Sequence, residues 1–169
     1  MEIDINETCL KRLDLSKIYP VFLLKICQTL YDCLEQDHIY IATSGFRSYK
    51  EQSLLYAQGR TAPGRIVTKA KAGQSAHNYG IAMDFSRDLD PRTPGLQPSW
   101  ALKDMQNLID TSVAHNLNPG ALWVSFKDVP HVDLGIKRHG VTLSQLDAIY
   151  RKNGSLEEVW TFLDQFDWE

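Results

Sequence analysis

The chain has 169 residues, 43% of them apolar and 23% charged, with a formal net charge of -3. That is the size of one domain, long enough to bury about two-thirds of its unfolded surface without a disulfide or metal staple, so a metal here is expected to serve chemistry rather than folding. The composition excludes a disordered chain, a collagen and a polybasic nucleic-acid binder.

No stretch reaches the roughly 18 apolar residues of a membrane span. The segment Met1 to Glu7 is acidic where a secretory signal would be basic and then apolar, so synthesis and residence in the cytoplasm are the expectation. Cys9, Cys27 and Cys33 are odd in number and fit no CxxC pattern, which reads as reduced, partly buried thiols.

Pro20 can occupy a first helical turn, and Val21, Leu24, Gln28, Tyr31 and Leu34 then recur at helical spacing as a mostly apolar stripe. Ile39 to Ser44 is a brief β-branched strand. Ser48 with Glu51 is a capping box opening a short helix through Leu54, Leu55 and Gln58 that stops at Gly59. Gly80 to Phe85 alternates, with Ile81, Met83 and Phe85 on one face and Gly80, Ala82 and Asp84 on the other. Asp90 to Pro98 reads as a long surface loop. Ser99 can cap a third helix striped by Leu102, Met105, Ile109 and Val113.

Ala121 to Phe126 and His131 to Leu134 read as a strand pair around Lys127 to Pro130. Thr142 with Gln145, and Ser155 with Glu158, form two more capping boxes separated by the stop signal Asn153-Gly154. The last helix offers Leu156, Val159, Trp160 and Leu163 to the core. Helices interleaved with short strands, without βαβ-style Gly-rich turns, predict an α+β domain with a small antiparallel sheet, a single unit over residues 1–169.

Two clusters carry chemistry. His77 lies in Gly73 to Gly80, a segment too rich in Gly and small polar residues for core packing, and Asp84 follows on a strand face cleared by Gly80 and Ala82. A buried carboxylate without a positive partner is several kcal/mol unfavourable. Zinc would meet it, since imidazole nitrogen and carboxylate oxygen bind that ion at about 2.0–2.2 Å.

The second cluster is Asp128-Val129-Pro130-His131, in which Pro130 fixes the backbone so that Asp128 and His131 can be held together at the mouth of a turn. That supplies a third ligand beside a carboxylate able to move a proton from water to a leaving amine. Singly, each residue has a plainer reading: Asp128 as a turn residue, Asp133 paired with a Lys or Arg, and Arg47 as a surface ion pair. His38, His115 and His139 lack comparable neighbours and read as surface residues. It is the joint occurrence of the two clusters, His77 with Asp84 and Asp128 with His131, that favours a site.

Ser44 to Gln52, Ser75 to Phe85, Trp123 and Asp128 to His131 resemble, in that order, the LAS-type zinc peptidases of the M15 group. They are most similar to the L-alanyl-D-glutamate endopeptidases found as phage endolysins and bacterial wall hydrolases. The resemblance runs from about Ile39 to Leu134 and includes Leu55 to Thr61. It implies the LAS (D-Ala-D-Ala carboxypeptidase/hedgehog-like) architecture and one zinc ion per chain on His77, Asp84 and His131. It also implies a general base at Asp128 and an oxyanion-stabilising Arg47.

Many relatives, notably the D-Ala-D-Ala enzymes, carry Glu where this chain has Asp128, and the Asp resembles the L-Ala-D-Glu branch. The implied substrate is the peptidoglycan stem peptide, cut by a monomer without a separate wall-binding domain. A cytoplasmic start combined with a wall substrate points to a phage or prophage endolysin, made in the host cytoplasm and released when another protein permeabilises the membrane. A D-Ala-D-Ala carboxypeptidase or dipeptidase of the same fold, and a non-catalytic zinc-stabilised binding module, stay open. Gln74 and Ser75 read as shaping their turn, Trp123 as core, and Tyr79 either way.

Overall fold

The computed structural model describes residues 4–169, so Met1 to Ile3 of the acidic N-terminal segment lie outside the described residues. Proline at the first helical position starts α1, Pro20–Glu35. Its buried face is Phe22, Ile26, Thr29, Leu30 and Cys33, whereas Leu24 and Tyr31 of the expected stripe are 59% and 55% exposed. Apart from the polar face of Lys25, Gln28, Asp32 and Glu35 the helix is apolar, so two stripes have helical spacing and packing selects the one with Phe22 and Ile26.

The short strands form one sheet, β1 (Tyr40–Ser44), β2 (Ala82–Asp88), β3 (Pro98–Ser99), β4 (Asn118–Pro119) and β5 (His131–Asp133), in the order β1-β2-β5-β4 with β3 also on β2. Every pairing is antiparallel. Central β2 is covered on both faces, with Met83 and Phe85 buried on one and Ala82, Ser86 and Asp88 on the other.

The strand expected over Ala121 to Phe126 does not form. Gly120–Leu122 is a 3-10 turn, and the carbonyl of Gly120 accepts the amides of both Trp123 and Asp128, at 3.2 and 3.1 Å. Those two bonds close the segment into a loop, and β5 pairs with β2 and β4 instead.

The capping boxes at Ser48 and Thr142 open α2 (Tyr49–Ala57) and α4 (Leu143–Asn153), and Gly154 ends α4 in the left-handed conformation. The box expected at Ser155 is absent from α5 (Leu156–Leu163), because the Ser155 hydroxyl bonds Glu157 rather than Glu158. Nor does Ser99 cap α3 (Leu102–Ala114); it belongs to β3, and its hydroxyl donates to Asp104 Oδ2 at 2.6 Å. In α3 the buried face is Met105, Leu108, Ile109, Thr111 and Ser112, while Leu102 and Val113 are exposed.

One hydrophobic core joins α1, the sheet, α3, α4 and α5. Cys9 and Cys33 are buried in it as free thiols, pushed up by that burial to about 12 and about 11, and so are inert. Among the described residues no helix is long and apolar enough to cross a membrane.

Candidate active site

The sheet assembles the two clusters read from the sequence. Asp84 on β2 stands directly opposite His131 on β5. His77 enters from the 3-10 turn Ala76–Tyr79, which Gly80 ends at φ 68° and turns into β2. Glycine is required there, since a Cβ would lie 2.2 Å from the Lys17 carbonyl oxygen. Beside Asp84 the register of β1 on β2 slips between Ala42 and Ser44, an irregularity of the kind that re-aims side chains near sites.

The three candidate ligand atoms form a nearly equilateral triangle. His77 Nε2 lies 3.3 Å from Asp84 Oδ1 and 3.2 Å from His131 Nδ1, and His131 Nδ1 lies 3.2 Å from Asp84 Oδ1. The outer ring nitrogens fix the tautomers. His77 Nδ1 meets the Gly45 carbonyl at 2.7 Å and must donate to it, while His131 Nε2 faces Asp133 Oδ2 at 3.3 Å. Each ring thereby turns a lone pair towards Asp84, and three acceptors so close call for a positive charge between them.

The electrostatics say the same. Burial opposes ionisation of Asp84, but the two imidazoles outweigh it and hold its carboxyl well below the usual range. Burial likewise opposes charge on His131, yet Asp133 and Asp84 raise its pKa, so that without a metal a proton meets the call for positive charge between the acceptors. Among the described residues, this is the group of metal-ligating side chains whose donor atoms all lie within 4.8 Å of one another.

A cleft of about 900 Å³ opens over the triangle and is lined by Arg47, Trp123 and Asp128 as well as His77, Asp84 and His131. Asp128 is half-buried, and its pKa is raised by that burial and by the charge of Asp84, which suits a proton acceptor. Gly120 holds it beside His131: a Cβ there would lie 2.6 Å from the Asp128 carbonyl oxygen and 3.0 Å from His131 Cβ. Arg47 donates to Gln52 Oε1 and Ser44 Oγ, both at 3.1 Å, and its Nη2 is 3.7 Å from Asp84 Oδ2. The guanidinium is thus held beside the triangle rather than free in solvent, replacing the reading of Arg47 as a surface ion pair.

Several supporting residues escape sequence reasoning. Asp133, open to a Lys or Arg partner on sequence, instead orients His131 and is itself held by Asn118 Nδ2 at 2.9 Å and the Gly135 amide at 2.6 Å. Fully buried Asn78 donates to the Arg47 carbonyl at 2.7 Å and accepts from the Gly73 amide at 3.0 Å. A polar residue between His77 and Tyr79 was the only signal for it. Trp123, read as core, is half-buried with its ring 4.9 Å from that of His131, in the cleft wall. Tyr79 is core, its hydroxyl spent on the Gly73 carbonyl and Tyr49. Ser75 makes no capping bond and lines the cleft with Gln74. His115, at the end of α3, pairs with Asp32 of α1 at 2.7 Å.

Residues 22–117, more than half of the chain, match the VanY family, described as D-alanyl-D-alanine carboxypeptidase. The chain belongs to this family. The VanY match takes in Arg47, His77 and Asp84, and the fold brings Asp128 and His131 to them from beyond it. Over 101 residues the chain is 39% identical to the peptidoglycan L-alanyl-D-glutamate endopeptidase CwlK of Bacillus subtilis (strain 168), covering 56% of this chain and spanning 59% of that protein's length.

Two solved structures share the fold. The L-Ala D-Glu endopeptidase ChiX of Serratia marcescens has a TM-score of 0.55 at 18% identity, over 76% of this chain and 88% of that one. The LdcB LD-carboxypeptidase has a TM-score of 0.50 at 20% identity, over 76% and 74%. The α+β LAS architecture expected from sequence is the one observed.

Proposed function

We propose that this VanY-family chain is a zinc peptidase that hydrolyses the peptidoglycan stem peptide at the L-Ala-D-Glu bond. The observation that carries the reading is the acceptor triangle at the floor of a cleft that also holds Asp128 and Arg47. Ligands at about 2.0–2.1 Å from a tetrahedral ion stand about 3.3–3.4 Å apart, and the measured separations are 3.2–3.3 Å. Two neutral imidazoles and one carboxylate are also an ordinary donor set for zinc. His77, Asp84 and His131 would hold the ion.

Bound there, zinc supplies Lewis acidity, polarising the scissile carbonyl and acidifying the attacking water. Asp128 accepts the proton released as that water adds to the carbonyl carbon, and returns it to the amine nitrogen as the C–N bond breaks. Arg47, fixed by Gln52 and Ser44, presents its guanidinium to the oxygen that gains charge. Asp133 and the Gly45 carbonyl keep both imidazoles in the ligating tautomer.

Two observations favour the L-Ala-D-Glu bond: the name of the 39% identical relative and the Asp at position 128. The family description favours a second reading, removal of a terminal D-Ala. A non-catalytic zinc module has no use for a carboxylate lining the cleft beside the triangle. Purified sacculi treated with the zinc-loaded protein separate the two hydrolytic readings by mass: a new N-terminal D-Glu supports the endopeptidase, and free D-Ala overturns it in favour of the carboxypeptidase. Asp128→Ala should keep stoichiometric zinc while turnover falls by about 10²–10⁴. Near-wild-type hydrolysis by that variant would remove Asp128 from the chemistry.

A further inference from the structure

Three non-glycine residues among those described have positive φ: Asp37, Asn116 and Phe126. Asp and Asn tolerate the left-handed region, but a bulky aromatic at φ 56° is strained. Such strain persists only where something holds it, and it gathers at binding sites. Core packing does not hold it here, because Phe126 stands outside the hydrophobic core and the residue is 51% exposed.

What the ring meets is Lys69, whose Nζ lies 4.8 Å from its centroid. Both residues line the cleft, Lys69 with Val67 on its own segment and Phe126, two positions before the candidate base Asp128, with Val124. Val67, Val124 and Phe126 are all exposed. The cleft rim is therefore apolar with an ammonium group set into it, above a polar floor.

We propose that Phe126 is a substrate-binding residue, its ring fixed by Lys69 to pack on the aliphatic part of a bound peptide while the ammonium faces that peptide's carboxylates. An apolar and cationic wall fits an aliphatic, anionic ligand, which the Ala- and Glu-containing stem is. The proposal rests on the stem-peptide reading above and adds the side chains that grip the substrate.

Binding is measured without turnover in the zinc-loaded Asp128→Ala protein, by calorimetric titration with a purified disaccharide-tetrapeptide muropeptide. Adding F126G should weaken binding about tenfold. The melting midpoint should stay level or rise, because glycine relieves the positive φ. K69M should weaken binding several-fold and K69R should restore most of it.

The role of Phe126 is overturned if F126G binds as tightly as its parent. It is also overturned if the loss comes only with a lowered melting midpoint, which would mark the ring as a structural prop. A parent protein that does not bind the muropeptide would instead strike the stem-peptide reading itself.

Discussion

Asp133 shows how much of the site depends on residues that touch no substrate. Its Oδ2 faces His131 Nε2 while Asn118 and Gly135 fix the carboxylate, so it sets the tautomer that leaves His131 Nδ1 free. Orienting partners of this kind are typically worth about 10–100-fold in metal affinity. Asp133→Asn should therefore weaken zinc binding by about that factor, measured by competition with a chromogenic chelator. An unchanged affinity would show that the backbone alone orients the ring.

Gly120 acts through space it leaves empty. A methyl group there collides with the Asp128 carbonyl and crowds His131 Cβ, so Gly120→Ala must move Asp128 and His131 apart. A shift of about 1 Å can cost about 10²-fold in rate. Turnover should fall at least that far while far-ultraviolet circular dichroism stays unchanged, and a fully active G120A would mean the loop has slack that its two hydrogen bonds to the Gly120 carbonyl do not suggest.

At the scale of elements, α1 separates periodicity from burial. Ile26 is fully buried and Leu24 is mostly exposed, although both lie on apolar stripes. Ile26→Ala should cost about 2–5 kcal/mol, whereas Leu24→Gln should stay within about 0.5 kcal/mol. Urea unfolding of the two variants checks the assignment, and comparable losses would mean that the Leu24 face is covered.

The same contrast explains what was legible in the sequence. Pro20, Ser48 and Thr142 act on the few residues that follow them, so those helix starts could be read directly. The buried face of α1 and the fate of Ala121 to Phe126 depend on distant partners. The latter is β-like in composition but is closed into a loop by bonds to Gly120. The convergence of Asp84 and His131 was legible because motif and strand register coincide, with the two residues opposite one another. Asp133, Asn78, Gln52 and Gly120 were not, because their roles exist only once three separate segments have met.

Over the whole molecule, the core and the triangle are adjacent but built from different side chains. Val132 and Met83 belong to the core, while His131 and Asp84 beside them on the same strands point into the cleft. Folding is therefore expected without the ion, and zinc bound at the triangle would add stability only by binding the folded state. At a free zinc concentration about 100 times the dissociation constant, this linkage amounts to about 2.7 kcal/mol. At about 2–4 °C per kcal/mol for a chain of this size, the melting midpoint should rise by roughly 5–10 °C.

A chelator should reverse that rise and leave the far-ultraviolet spectrum of a folded protein. His77→Ala should show neither the rise nor its reversal, because its triangle has lost a corner. If chelation instead unfolded the chain, the metal would be a structural staple. If His77→Ala kept the full shift, the stabilising ion would be bound elsewhere.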